Sequence, residues 1–162
     1  MNKVIDEVCK LLKSKKIEFT LREHGAVFTM EEMDKLNLPN PKAIAKNLFL
    51  RDDKKRSYYL LVVAKEKTVN LKAVKEKIDS RPLSFASEKY LSAKLGLTKG
   101  AVTPFGIIND LEHEVNVFID ESFKDDLIAI HPNSNTATIW LKTSDLIEFI
   151  KANGNYVEFI NI

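Results

Sequence analysis

A single cysteine, Cys9, stands among the 162 residues, so no internal disulfide and no cysteine-based zinc cluster can form. A reducing cytoplasm is the expected setting. No apolar run approaches the roughly 20 residues that span a bilayer, and no membrane association is expected. The opening stretch MNKVIDEVCKLLKSKK mixes acids with its lysines and lacks a continuous apolar block, so it reads as neither signal nor transit peptide. There is no Gly/Ser/Pro-rich linker, low-complexity tract or internal repeat, and one domain over residues 1–162 is expected. The phosphate-cradling G-x-x-x-x-G-K-[ST] loop, the G-x-G-x-x-G turn and the G-x-S-x-G elbow are all missing. His24, His113 and His131 are not spaced as a helical metal pair, so neither metal nor cofactor is expected.

What is there supports a folded chain. Hydrophobic residues make up 44% and charged residues 30%, enough to build a core and too apolar for disorder. The net charge of +2 hides an asymmetry. Residues 1–81 hold 19 Lys and Arg against 12 Asp and Glu, a net of +7, whereas residues 82–162 carry −5. A basic half suits a polyanion such as RNA, although lysines that merely solvate helix faces give the same count.

Val4, Ile5, Val8, Leu11 and Leu12 recur at helical spacing and predict a helix over 2–15, with Cys9 as a packed thiol beside the apolar stripe. A strand is expected over 18–23, with Phe19 and Leu21 on one face. Thr29 and Glu32 form a capping-box pattern for a helix to about Leu36. NLFLRDD and SYYLLVVA read as strands joined by a charged turn, the second buried on both faces. Asn70 and Ser87 start helices, with PLSFA as a strand between them; Gly96 stops the second helix. LTKGAVTPFGIIND reads as the longest irregular connection. Strands near 115–120, 127–130 and 136–141, a helix over 144–153 and the strand YVEFINI complete the chain. The expected class is α+β (mixed α/β), a mostly antiparallel mixed sheet of about seven strands with surrounding helices.

Three local features bear on chemistry. Lys46, in AIAKNLFL, is either a snorkelling edge residue or a cation facing a cleft, where it grips a phosphate or ribose hydroxyl. Gly100-Ala-Val-Thr-Pro104 is either an ordinary turn or a rigid loop whose oriented N–H groups bind a carbonyl, a water or an oxyanion. His131, before Pro132 and Asn133, either satisfies a turn or lines a pocket floored by the strand LIAI.

In combination and order these segments resemble the prolyl-tRNA editing family, which includes the YbaK-like deacylases and the editing domain inserted in bacterial prolyl-tRNA synthetases. KNLFL, YYLLVV, GAVTPFG and HPN carry the resemblance, together with HGAVFTMEE at residues 24–32. It spans about residues 4–155 and looks closest to the free-standing alanyl-tRNA(Pro) deacylase branch. Gly25-Ala26 departs from the pattern, since relatives often carry proline there.

The resemblance implies a YbaK-like fold and hydrolysis of an aminoacyl ester without metal or covalent intermediate. Lys46 would anchor the terminal adenosine, with Asn47 beside it in the substrate-binding set. Gly100, Ala101, Val102, Thr103 and Pro104 would position the ester through backbone groups. His131 would border the amino-acid pocket, with Leu21 and Ile130 as apolar walls. The implied partners are the acceptor end of tRNA(Pro) and a prolyl-tRNA synthetase, with no DNA. Two other readings stay open: deacylation of Cys-tRNA(Pro) or of small aminoacyl-tRNAs broadly, and a non-catalytic module that binds aminoacyl-tRNA or an amino acid.

Overall fold

The computed structural model describes residues 2–162, so Met1 of the expected domain lies outside the described residues. Helix α1 (Lys3–Ser14) starts where Asn2 accepts the Val4 N–H at 2.9 Å, and it buries Ile5, Val8, Cys9 and Leu12. Strand β1 (Phe19–Glu23) leads to α2 (Met30–Lys35), which Thr29 caps by accepting the Glu32 N–H at 3.1 Å. After a 3-10 turn over Pro41–Ala43 come β2 (Ala45–Asp52) and β3 (Tyr58–Ala64). Lys46 therefore sits inside β2 rather than before it.

Asn70 and Ser87 cap α3 (Leu71–Ile78) and α4 (Glu88–Leu95) through their side-chain oxygens, with β4 (Leu83–Phe85) between the two. The connection after α4 is not wholly irregular. Pro104–Asn109 forms a 3-10 helix, because Thr103 accepts the Phe105 N–H and proline is pre-set for the first turn. β5 (Val115–Asp120), β6 (Leu127–Ile130), β7 (Ala137–Lys142), α5 (Thr143–Asn153) and β8 (Val157–Ile160) complete the fold.

The mixed α+β class and the antiparallel majority match the expectation, but among the described residues the strands number eight and divide between two sheets. One has the order β1-β7-β6 and is antiparallel throughout. The other runs β4-β2-β3-β5-β8, with β5 parallel to both β3 and β8. β3 is central, as its apolar run predicts.

The division follows from side-chain alternation. Leu60 and Val62 of β3 face a main core that also takes Ile128 and Ile130 from β6, Ala137, Ile139 and Leu141 from β7, and the buried face of α1. Leu61 and Val63 face a second cluster with Val74 of α3. On the far side of the small sheet, Ala129 and Trp140 pack on Val27, Met33 and Ile44. Two sheets thus share one core, and each has its outer face covered. Near the start of β2 they meet in a parallel bridge between Ile44 and Ala129. No helix among the described residues is long and apolar enough to cross a membrane.

Candidate functional site

The bridge between Ile44 and Ala129 opens onto a cavity of about 180 Å³ at the seam of the two sheets. Ala45, Lys46 and Asn47 of β2 form one side, and Ala129, Ile130 and His131 form another. Gly100 and Val102 close it from the loop after α4, Thr138 from β7, and Phe28, Met30 and Met33 from the segment entering α2. Residues distant in sequence converge here because the bridge sets the start of β2 beside β6.

Lys46 is half-buried, and its ammonium donates to the carbonyl of Lys67. Lys67 is itself held. Its own ammonium lies 2.8 Å from the carboxylate of Asp120, which also accepts the N–H of Ala64 at 3.1 Å and of Ser122 at 3.0 Å. Burial alone would raise the Asp120 carboxyl, but these donors, led by Lys67, outweigh it and hold the group below the ordinary carboxylate range. A buried anion therefore fixes the turn on which Lys46 rests. Asn47, on the next position, presents a buried Oδ1 with no hydrogen-bond partner among the described residues.

Gly100 has φ +91°, and a Cβ there would lie 2.9 Å from Cδ1 of Phe28. Both facts demand glycine. No partner appears among the described residues for the N–H groups of Gly100 and Val102, two residues that line the cavity. Thr103 is buried and donates its hydroxyl to the carbonyl of His131 at 2.6 Å, tying the loop to the end of β6. Ala101, Thr103 and Pro104 are buried behind the wall rather than in it.

His131 donates from Nδ1 to the carbonyl of Ala137 at 2.8 Å, since a carbonyl can only accept. Burial and the neighbouring His24, whose ring centroid is 6.1 Å away, push its pKa below the ordinary value of 6.5 against the opposing pull of that carbonyl. The ring is thus neutral, with a lone pair on Nε2. His24 donates from Nδ1 to Gly25 O at 2.8 Å and holds Nε2 2.9 Å from the Thr138 hydroxyl.

Of the residues nominated from sequence, Lys46, Asn47, Gly100, Val102, Ile130 and His131 meet at this cavity. Leu21 does not. It pairs with Ile139 across β1 and β7 and packs toward the main core, whereas Thr138 faces the cavity from the other side of the sheet. Phe28, Met30, Met33, Ala129 and Thr138 were not nominated. HGAVFTMEE carried the signal for the first two, and the alternation within LIAI places Ala129 opposite Ile130.

Comparison with known proteins adds an independent line. The model of the aminoacyl-tRNA editing domain matches residues 24–149. The chain is 48% identical over 148 residues to the prolyl-tRNA editing protein ProX of Acetoanaerobium sticklandii, covering 91% of this chain and 90% of that one. It is 34% identical over 138 residues to prolyl-tRNA synthetase associated domain-containing protein 1 of Mus musculus, covering 82% and 81%. A crystal structure of a candidate trans-editing enzyme for prolyl tRNA synthetase superposes with a TM-score of 0.76 at 17% identity, over 100% of this chain and 99% of that one. At that identity the likeness concerns the fold.

Proposed function

Because the chain belongs to the aminoacyl-tRNA editing domain family, we propose that it is a hydrolase that deacylates mischarged tRNA(Pro) in trans, with Ala-tRNA(Pro) as preferred substrate. What supports this reading is one cavity lined by Lys46, Asn47, Gly100, Val102, Ile130 and His131 together. It works as a single cytoplasmic domain on tRNA released by a prolyl-tRNA synthetase.

An aminoacyl ester is already activated, so the site needs to supply positioning and charge stabilisation. The Lys46 ammonium lies beside the substrate's ribose-phosphate end and aligns it as a point charge. The Oδ1 of Asn47, buried and without a protein partner among the described residues, accepts from the substrate's α-ammonium, a hydrogen bond worth about 1.5–3 kcal/mol with a charged donor. Water attacks the ester carbonyl, and the N–H groups of Gly100 and Val102 receive the developing oxyanion; as the carbonyl re-forms, the ester C–O bond breaks and a proton from the water ends on the departing ribose oxygen. Nε2 of neutral His131 accepts a hydrogen bond from the attacking water or the ribose hydroxyl beside the ester. Ile130 and Val102 are the apolar walls against which the side chain is measured.

A synthetase pocket built for proline cannot exclude a smaller side chain, because one methylene is worth only about 1–3 kcal/mol. A second, smaller sieve then removes alanine. Deacylation assays with Ala-, Cys-, Ser- and Pro-tRNA(Pro) test the proposal directly. Fast loss of alanine with proline spared is the expected result. Equal loss of cysteine and serine replaces alanine specificity with a broad small-residue activity. Binding without turnover of any of the four refutes catalysis. Lys46→Ala is expected to lower deacylation more than about 100-fold with an unchanged circular dichroism spectrum.

A further inference from the structure

Thr138 is buried in β7 and forms part of the cavity lining. Among the described residues its hydroxyl has one partner, Nε2 of His24 at 2.9 Å. His24 is engaged on its other side as well, with Nδ1 2.8 Å from the carbonyl of Gly25. A carbonyl only accepts, so the proton of the neutral ring sits on Nδ1 and Nε2 carries the lone pair. The Thr138 hydroxyl is then the donor of the bond between them. Its one proton is spent, and all that Oγ1 has left to offer a ligand is lone pairs.

His24 is anchored to do this. Its N–H donates to Thr136 O at 2.9 Å, and its ring centroid lies 6.1 Å from that of His131. The lining then holds three acceptors: Oδ1 of Asn47, Nε2 of His131 and Oγ1 of Thr138. None of the three receives a hydrogen bond among the described residues. The Lys46 ammonium does not serve them, since it is turned to the carbonyl of Lys67. A hydroxyl brings one proton to such a set; an ammonium brings three, and a charge.

We propose that Thr138, its hydroxyl oriented by His24, accepts from the α-ammonium of the amino acid and so restricts the enzyme to esters whose amino group is free. The inference rests on the editing reading above and deepens it from the size of the side chain to the state of the amine. Thr138 shares the ammonium with Asn47, and a hydrogen bond from a charged donor is stronger than one from a neutral donor. A hydroxy-acid ester of the same size brings a proton and no charge. Peptidyl and other N-acylated esters bring a single amide proton and no charge. Ile130 and Val102 thus measure the side chain, and the acceptors measure the amine. His24, which is not part of the lining, is a positioning residue: it sets which way the Thr138 proton points.

Two hydrolysis-resistant probes of equal size test this: 3′-deoxy-3′-(L-alanylamido)adenosine, and its L-lactylamido counterpart with a hydroxyl in place of the ammonium. In neutral buffer wild-type protein is expected to bind the alanyl probe about 10- to 100-fold more tightly. The same preference is expected in kcat/KM for Ala-tRNA(Pro) over L-lactyl-tRNA(Pro), each corrected for its uncatalysed hydrolysis. Thr138→Val keeps the shape, removes the acceptor and lowers the ratio at least about fivefold, whereas Thr138→Ser keeps it. His24→Leu also lowers the ratio, and His24→Gln, whose amide oxygen accepts from the hydroxyl, restores most of it. A wild-type ratio near one overturns the proposal whether or not any variant folds. So does Thr138→Val that weakens both probes equally, which marks the residue as structural. A ratio that survives His24→Leu, or that His24→Gln fails to restore, overturns the role of His24. The two readings fail separately. A protein that prefers the alanyl probe yet deacylates none of the four charged tRNAs refutes editing alone; one that edits with a ratio near one refutes amine selection alone.

Discussion

The protonation state of His131 makes the site sensitive to acid. Its pKa is depressed by burial and by His24, so the neutral ring persists somewhat below the ordinary value. Deacylation is expected to stay flat from pH 8 down through about 6.5, the usual histidine value, and to fall only at lower pH. The sign for stability is the same. The unfolded chain binds the proton more readily, so the contribution is complete above the unfolded pKa and is lost as pH falls through the folded one. A kcat/KM profile and a thermal-melt series against pH check both, with His131→Asn flattening each.

Leu21 and Ile130 separate just as clearly. Ile130→Ala is expected to widen the substrate profile, whereas Leu21→Ala costs about 1–3 kcal/mol of stability and leaves the profile alone. The residue identities at the site were legible where chemistry is written into a short pattern, as in KNLFL, GAVTPFG and HPN. The face of each residue was not. Leu21 looks like a wall until β1 is placed on the side of β7 away from β6, with Ile139 standing between Leu21 and Ile130.

At the level of elements, local signals were read correctly wherever one residue decides the outcome. Asn70 and Ser87 cap, and Gly96 stops its helix in the left-handed conformation. The segment after Lys99 was less legible, because its 3-10 helix depends on Thr103 bonding to Phe105 and to a carbonyl 28 residues away. That tether joins the loop to β6. Thr103→Val is expected to cost only about 1 kcal/mol of stability yet to lower kcat/KM about 10- to 100-fold, since small displacements of positioned groups are expensive in rate. A lowered melting temperature with full turnover marks the tether as merely structural. Gly100→Ala meets both positive φ and the Phe28 ring, and is expected to lose at least about 1–2 kcal/mol, measured by chemical unfolding.

Across the whole molecule, the split into two sheets was hidden from sequence because β3 and β6 are apolar on both faces and β7 is buried on both over 137–141. Alternation that is hydrophobic both ways names no partner. The charge asymmetry was legible along the chain but not in space. β1 pairs with β7 and β3 with β5, so the basic and acidic halves interleave. Binding of charged tRNA is therefore expected to depend only shallowly on salt, with a log–log slope of about 0.7–2 for one or two phosphates at the acceptor end. A KM series against salt for full tRNA checks this. Asp120 sits at the other extreme, an ionised group wholly inside; Asp120→Ala leaves the N–H groups of Ala64 and Ser122 without their acceptor and is expected to cost about 1–3 kcal/mol in chemical unfolding.

Ile130 and Val102 serve the main core and the cavity wall at once. Fidelity and foldedness are thus written in the same side chains. Selection for a more permissive catalyst will draw down thermal tolerance with each step, and the first broadened variants to emerge from such an experiment will be recognisable as heat-labile before anyone measures what they hydrolyse.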